Sequence, residues 1–167
     1  DRLRSRGLGD VYKRQPQVHL GARAGEKYKV KDLLYGLMLE SYNDCAVILA
    51  EHAAGSTENF AKKLNAEARS YGAKSTHFVT PNGLDRTDKN GIHSTTAYDL
   101  ALIMKQCIKN KEFLEITRAK SHSFHDASGK RSFTCNNHNA LLSMMDGAVS
   151  GKTGFTSKAG YLSLIHI

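Results

Sequence analysis

Residues 31–54 read KDLLYGLMLESYNDCAVILAEHAA, and this stretch decides the fold. Leu33, Leu34, Leu37 and Met38 recur at helical spacing and predict a helix over Lys31–Leu39. Ser41-Tyr42-Asn43-Asp44 then breaks the apolar period and offers side-chain oxygens as N-caps for a second helix, Cys45–Ala54. That second helix opens on six consecutive apolar residues, Cys45 to Ala50, so it should be buried on every side. Gly55 supplies a left-handed stop, and Ser56 or Thr57 caps a third helix striped by Phe60, Leu64, Ala68 and Tyr71.

Beyond this helical block the pattern changes. His77–Thr80 reads as a short strand before the turn Pro81-Asn82-Gly83. Thr96 and Asp99 form a T-x-x-D cap that starts a helix running to about Lys109, with Leu100, Ile103, Met104, Cys107 and Ile108 on its apolar face. Arg118–His125 and Lys130–Thr134 read as two strands around Ala127-Ser128-Gly129. Helices followed by strands predict an α+β arrangement.

The chain has 167 residues, 40% hydrophobic and 24% charged, which suits a soluble core-forming domain and excludes a wholly disordered chain. No apolar run approaches the ~18 residues needed to span a bilayer, and no leader-like apolar segment follows the charged N-terminus. Three widely spaced cysteines, Cys45, Cys107 and Cys135, do not form a disulfide scaffold and read as small buried apolar residues. The ends read differently from the middle. Residues 1–15, DRLRSRGLGDVYKRQ, and residues 162–167, LSLIHI from Leu162, resemble translated sequencing-adapter read-through and are expected to be non-native segments outside the fold. The first of them, with five basic and two acidic residues, accounts for three of the eight net positive charges. A nucleic-acid partner thereby loses most of its compositional support. The native catalytic-domain portion is expected over residues 16–161.

Three groupings could carry chemistry. Gly151-Lys152-Thr153 looks like the end of a phosphate loop, but Asp146 occupies the position where that loop needs glycine. His122, His125, Cys135 and His138 are zinc-ligand types; on a strand, however, positions three apart face opposite ways, so no metal site is expected. The third grouping is Ser41-Tyr42-Asn43 at the head of a buried helix, with Lys152-Thr153-Gly154 more than a hundred residues later. Each alone has a bland reading, as a helix cap and as a common tripeptide. An extended Lys-Thr-Gly strand could nonetheless lie beside a peptide, with Gly154 permitting close approach. Lysine rather than arginine suits a site where an amine exchanges protons.

Taken together, Ser41-x-Asn43, Lys152-Thr153-Gly154-Phe155-Thr156 and Ala159-Gly160-Tyr161 resemble the signatures of the penicillin-binding acyl-serine enzymes. The closest resemblance is to the low-molecular-mass D-alanyl-D-alanine carboxypeptidases of serine peptidase family S11. It runs from about Gly25 to Tyr161 and includes Asp32-Leu33-Leu34-Tyr35-Gly36-Leu37, Ser41-Tyr42-Asn43-Asp44 (with Tyr42 in place of the usual glycine), Pro81-Asn82-Gly83-Leu84 and Ser94-Thr95-Thr96-Ala97-Tyr98-Asp99. The resemblance implies a β-lactamase/transpeptidase-like fold, here a helical subdomain plus part of an antiparallel sheet. It implies a serine nucleophile in Ser-x-x-Lys, an acyl-enzyme, and loss of the terminal D-alanine.

By the same resemblance Ser41 and Asn43 are catalytic: Ser41 in a proton relay, Asn43 on the substrate amide or orienting a lysine. Lys152, Thr153, Gly154, Phe155 and Thr156 bind substrate. Lys152 supplies positive charge, Thr153 and Thr156 hold the substrate carboxylate, and the Phe155 N–H is one oxyanion donor. No cofactor is implied. The implied partners are peptidoglycan stem peptides ending in D-Ala-D-Ala, with β-lactams as inhibitors. The implied location is extracytoplasmic, any membrane association coming through termini outside this chain.

No Ser-x-x-Lys lies between Pro16 and Ser41, where the family order places it. The chain is therefore expected to be an internal fragment, inert and aggregation-prone on its own. The alternatives are a serine β-lactamase, although Glu112 and Glu115 sit in no E-x-x-L-N pattern, and a non-catalytic peptidoglycan-binding homologue.

Overall fold

A computed structural model describes residues 18–167. The opening block folds as α1 (Val30–Glu40), α2 (Asn43–Ala54) and α3 (Thr57–Ser70). Leu33, Leu39, Cys45, Ile48 and Ala50 are all but inaccessible, so the first two turns of α2 are enclosed by their neighbours, while His52 and Ala53 near its end are exposed. Gly55 ends α2 at φ 77°, and the Ser56 hydroxyl accepts from the Asn59 N–H to cap α3. The buried positions of α3 are Ala61, Asn65 and Ala68; of the anticipated stripe Ala68 is buried, while Phe60, Leu64 and Tyr71 are half-buried. Asn65 reaches out of the helix to Phe78, its amide bonding both the carbonyl and the N–H of that residue at 2.7 Å.

Two short strands follow, β1 (Thr87–Asp88) and β2 (Gly91–Ile92), then α4 (Ala97–Cys107) and α5 (Lys111–Arg118). The remaining elements are the hairpin β3 (Ser121–His125) and β4 (Ser132–Asn136), the single turn α6 (Leu141–Met144), and β5 (Ser150–Thr156) with β6 (Gly160–His166). Each sheet is a two-stranded antiparallel pair. The core joins α1 and α2 to the inner face of β3–β4 through Tyr28, Leu33, Leu39, Ile48, Phe124 and Cys135. Among the described residues no helix is long and apolar enough to cross a membrane.

Several expectations are corrected. Ser41-Tyr42-Asn43-Asp44 gives no side-chain cap to α2, whose N-cap is Tyr42. Asp44 is instead buried, and its carboxylate accepts from the N–H groups of Leu20, Gly21, Ala22 and Cys45 at 2.9–3.1 Å. His77–Thr80 forms no strand beyond a single bridge from His77 to Ser94, because Thr80 and Val79 spend their N–H groups on the His93 ring. Arg118 belongs to a helix rather than a strand: α5 begins at an Asn110 cap that accepts from Glu112 and Phe113. Thr96 caps α4, but the Asp99 carboxylate turns to Ser75 N–H and Thr76 Oγ1 at 2.7 Å. The C-terminal string does not stand outside the fold, since Leu162–His166 completes β6 and pairs along β5. The reading of residues 1–15 lies outside the described residues.

Candidate active site

Ser41 is placed by the end of α1. It adopts φ 60° and ψ 34°, the only non-glycine residue with positive φ among those described. The N–H of Tyr42 closes back on the Gly36 carbonyl at 3.2 Å, the wrap that usually uses glycine at this position. Holding a serine there costs about 1–2 kcal/mol, and such outliers concentrate at functional sites. Gly36 makes the turn compact: a Cβ on it would lie 3.0 Å from the Tyr42 ring and 3.1 Å from Cys45 Sγ. Burial against this turn pushes the Tyr42 phenol up to about 12.

The facing wall is β5. Lys152 Nζ donates to Ser41 Oγ at 2.5 Å and to the Thr153 carbonyl at 2.5 Å. Both acceptors are neutral, and burial lowers the Lys152 ammonium below the usual lysine range. The strand alternates, so Lys152, Gly154 and Thr156 share one face while Thr153 and Phe155 turn to the other. Thr156 Oγ1 donates to Asp85 Oδ1 at 3.1 Å and accepts from the Ala159 N–H at 3.0 Å. The Phe155 ring is exposed and lies 4.9 Å from that of Tyr161, its cross-strand neighbour. Two residues before Lys152, the buried hydroxyls of Ser150 and Thr117 meet at 2.7 Å and fasten β5 to α5.

Of the residues singled out from sequence, Ser41 thus meets Lys152, and Gly154 and Thr156 share the Lys152 face of β5. Thr153 sits on the far face of its strand. Asn43 stands beside Ser41, but its backbone and side-chain N–H groups both donate to the Val18 carbonyl, at 2.9 and 3.3 Å. Asp85, the acceptor for Thr156, was not anticipated as part of the site. Asp85 directly follows the Pro81–Leu84 turn, a position whose only signal was that neighbouring motif. The histidines disperse: His122 bonds Asp32 at 2.8 Å, His125 bonds Ser132 at 3.0 Å and His138 bonds Glu40 at 2.7 Å. Among the described residues no three ligand types gather. Gly151-Lys152-Thr153 lies within a strand, without the following helix a phosphate loop requires.

A lysine amine in contact with a strained serine hydroxyl, beside a glycine-opened strand, can pass protons and attract a carboxylate. Solved structures with a similar backbone include a D-alanyl-D-alanine carboxypeptidase and a DD-transpeptidase. The D-alanyl-D-alanine carboxypeptidase of Mycobacterium tuberculosis H37Rv superposes with a TM-score of 0.76 at 31% identity, over 98% of this chain and 66% of that one. The Streptomyces K15 DD-transpeptidase does so with a TM-score of 0.76 at 32% identity, over 86% of this chain and 57% of that one.

Sequence comparison narrows the class. The profile of the D-alanyl-D-alanine carboxypeptidase family, peptidase S11, matches residues 10–166, and the chain belongs to that family. Curated relatives include the D-alanyl-D-alanine carboxypeptidase DacB2 of M. tuberculosis, 37% identical over 94% of this chain and 53% of its own length. Another is DacF of Bacillus subtilis, 35% identical over 82% of this chain and 34% of its own length. The chain therefore spans about a third to a half of these relatives.

Proposed function

We propose that the protein carrying this sequence is a serine-type D-Ala-D-Ala carboxypeptidase that trims the terminal D-alanine from peptidoglycan stem peptides, acting outside the cytoplasmic membrane and inhibited by β-lactams. The observation that carries this reading is the 2.5 Å contact between Lys152 Nζ and Ser41 Oγ across 111 residues. In the reaction a nucleophilic serine forms an acyl-enzyme, the D-alanine amine departs with a proton, and water then releases the shortened peptide.

Ser41 and Lys152 supply the proton path to the leaving amine. The lowered Lys152 ammonium eases that transfer because it gives up its proton more readily than a solvated lysine. Its charge also draws the substrate carboxylate, which Thr156 would bind from the same face of β5. Asn43 would serve the substrate amide by exchanging its Val18 contact. Gly154 leaves the strand bare for the peptide backbone, and the Phe155 N–H is one oxyanion donor, a group typically worth ~10²–10³ in rate.

No Ser-x-x-Lys occurs in the 167 residues, so this chain alone provides the relay and binding wall without acylating. The test is a paired one. The full-length protein should release D-alanine from a diacyl-L-Lys-D-Ala-D-Ala peptide and be labelled covalently by a fluorescent penicillin, while the 167-residue chain should not be labelled. Rapid nitrocefin turnover by the full-length protein, without D-alanine release, would replace this reading with a β-lactamase.

A further inference from the structure

Glu40 ends α1 one residue before Ser41, a poor place for a carboxylate because the last carbonyls of a helix already carry partial negative charge. It is nevertheless held on both oxygens. Oε1 accepts from the Asn136 N–H at 2.7 Å, and Oε2 meets His138 Nε2 at 2.7 Å. The carboxylate side chain is 13% exposed, the imidazole 65%. Asn136 is the last residue of β4, and His138 lies on the connection that leads through α6 into β5.

That connection is tied to the other wall as well. Asn137 Nδ2 donates to the carbonyls of Thr117 and Ala119 at 2.8 and 3.0 Å. Thr117 in turn shares its hydroxyl with Ser150, two residues from Lys152. A closed circuit results: from Ser41 to Glu40, to His138 and Asn137, to Thr117 and Ser150, and through Lys152 back to Ser41. The other titratable groups beside the Glu40 carboxylate are Tyr42 and Cys135, whose acidities burial shifts to about 12 and about 11, so both are neutral near pH 7. His138 Nε2 is the side-chain partner of the second Glu40 oxygen.

We propose that Glu40 and His138 are positioning residues: their pairing holds the left-handed Ser41 turn at hydrogen-bonding distance from Lys152. The catalytic consequence rests on the peptidase reading above, but the geometry does not, and neither does its test. Such an arrangement explains why an acid is tolerated at a helix C-terminus.

The experiment is an NMR titration of the full 167-residue chain labelled uniformly with ¹³C and ¹⁵N, read at lysine Cε, with Lys152 assigned by its loss in K152R. Ser41 Cα and Cβ shifts report its backbone conformation. H138A should melt within a few degrees of the parent, yet move the Lys152 midpoint upward by about 0.5 pH unit, roughly a threefold change in ionisation constant. Ser41 should leave the left-handed shift range. H138Q, whose amide can still donate to Glu40, should restore both signals.

E40Q gives an independent sign. Removing a nearby anion by itself lowers a lysine midpoint, so an upward movement reports a displaced Ser41–Lys152 pair. Folded H138A and E40Q proteins with unchanged Lys152 and Ser41 signals would overturn the proposal. Loss of the fold in both would overturn it too, by making the pair a general structural element. Neither outcome bears on whether the full-length protein releases D-alanine.

Discussion

Thr156 Oγ1 gives its proton to Asp85 Oδ1 at 3.1 Å, joining the end of β5 to the loop that follows Pro81-Asn82-Gly83. The hydroxyl proposed to hold a substrate carboxylate is therefore already engaged by a carboxylate of the protein. A ligand anion must take Thr156 away from Asp85 and sit near a like charge. D85N keeps an acceptor for the hydroxyl and removes the repulsion. It should tighten binding of an N-acyl-D-Ala-D-Ala peptide to the chain about two- to fivefold, the ~0.5–1 kcal/mol scale of a partly exposed charge interaction. Peptide titration followed by NMR checks this, and equal or weaker binding would remove Thr156 from the carboxylate site.

Lys152 carries a stability cost with a definite pH dependence. Its folded pKa is lowered by burial, so below that value both folded and unfolded chains hold the proton and the full cost is present. Between the lowered value and that of a free lysine, the unfolded chain holds a proton the folded chain has released, so this residue's contribution to stability improves as pH rises. Lys152→Met should accordingly be more resistant to urea than the parent at pH 7, with the advantage shrinking towards pH 10. An advantage that grew with pH would mean the folded ammonium is stabilised rather than desolvated.

Two glycines three residues apart separate folding from ligand approach. A Cβ at Gly151 would lie 2.6 Å from the Leu164 carbonyl, 2.7 Å from Ile165 Cδ1 and 2.8 Å from Asn139 Nδ2. The carbonyl belongs to the paired strand and cannot rotate away, so G151A should cost about 1–3 kcal/mol in urea unfolding. At Gly154 a Cβ meets nothing within 4 Å. G154A should therefore stay within about 0.5 kcal/mol of the parent, while weakening peptide or penicillin binding in the full-length protein. Unimpaired binding by G154A would show that the strand face is not approached closely.

Much of the helical block was readable from residues 31–54 because apolar spacing and a glycine stop are local signals, and α1 and α2 end within two residues of their expected limits. The groove was legible in another way. Nothing in local spacing joins Ser41 to Lys152; their link came from the resemblance, which carries tertiary information that periodicity lacks. The cap expected from Ser41–Asp44 failed because Asp44 satisfies three N–H groups 22–24 residues upstream, competitors invisible to a local capping rule. Helix α5 was missed because its eight residues show barely two turns of pattern. The composition of Leu162–Ile167 marked it as foreign, yet Leu-Ser-Leu-Ile has ample β propensity to complete a hairpin with β5.

Asp44 is the residue whose loss should be felt most. Its carboxylate, 3% exposed, takes four backbone N–H groups, three of them from residues 20–22, and stands in the first turn of α2 where helix polarity favours an anion. These bonds lay the 18–22 segment across the start of α2, where the Val18 carbonyl receives both N–H groups of Asn43. In D44A the donors of Leu20 and Cys45 are left buried, at about 1–3 kcal/mol each, so the variant should lose about 2–6 kcal/mol. D44N keeps one acceptor oxygen and should lose roughly half as much. Amide hydrogen exchange separates this from general loosening: Leu20, Gly21 and Ala22 should lose protection in D44N while β3–β4 amides keep theirs. Uniform loss across both regions would mean that Asp44 supports the whole core rather than the 18–22 segment alone.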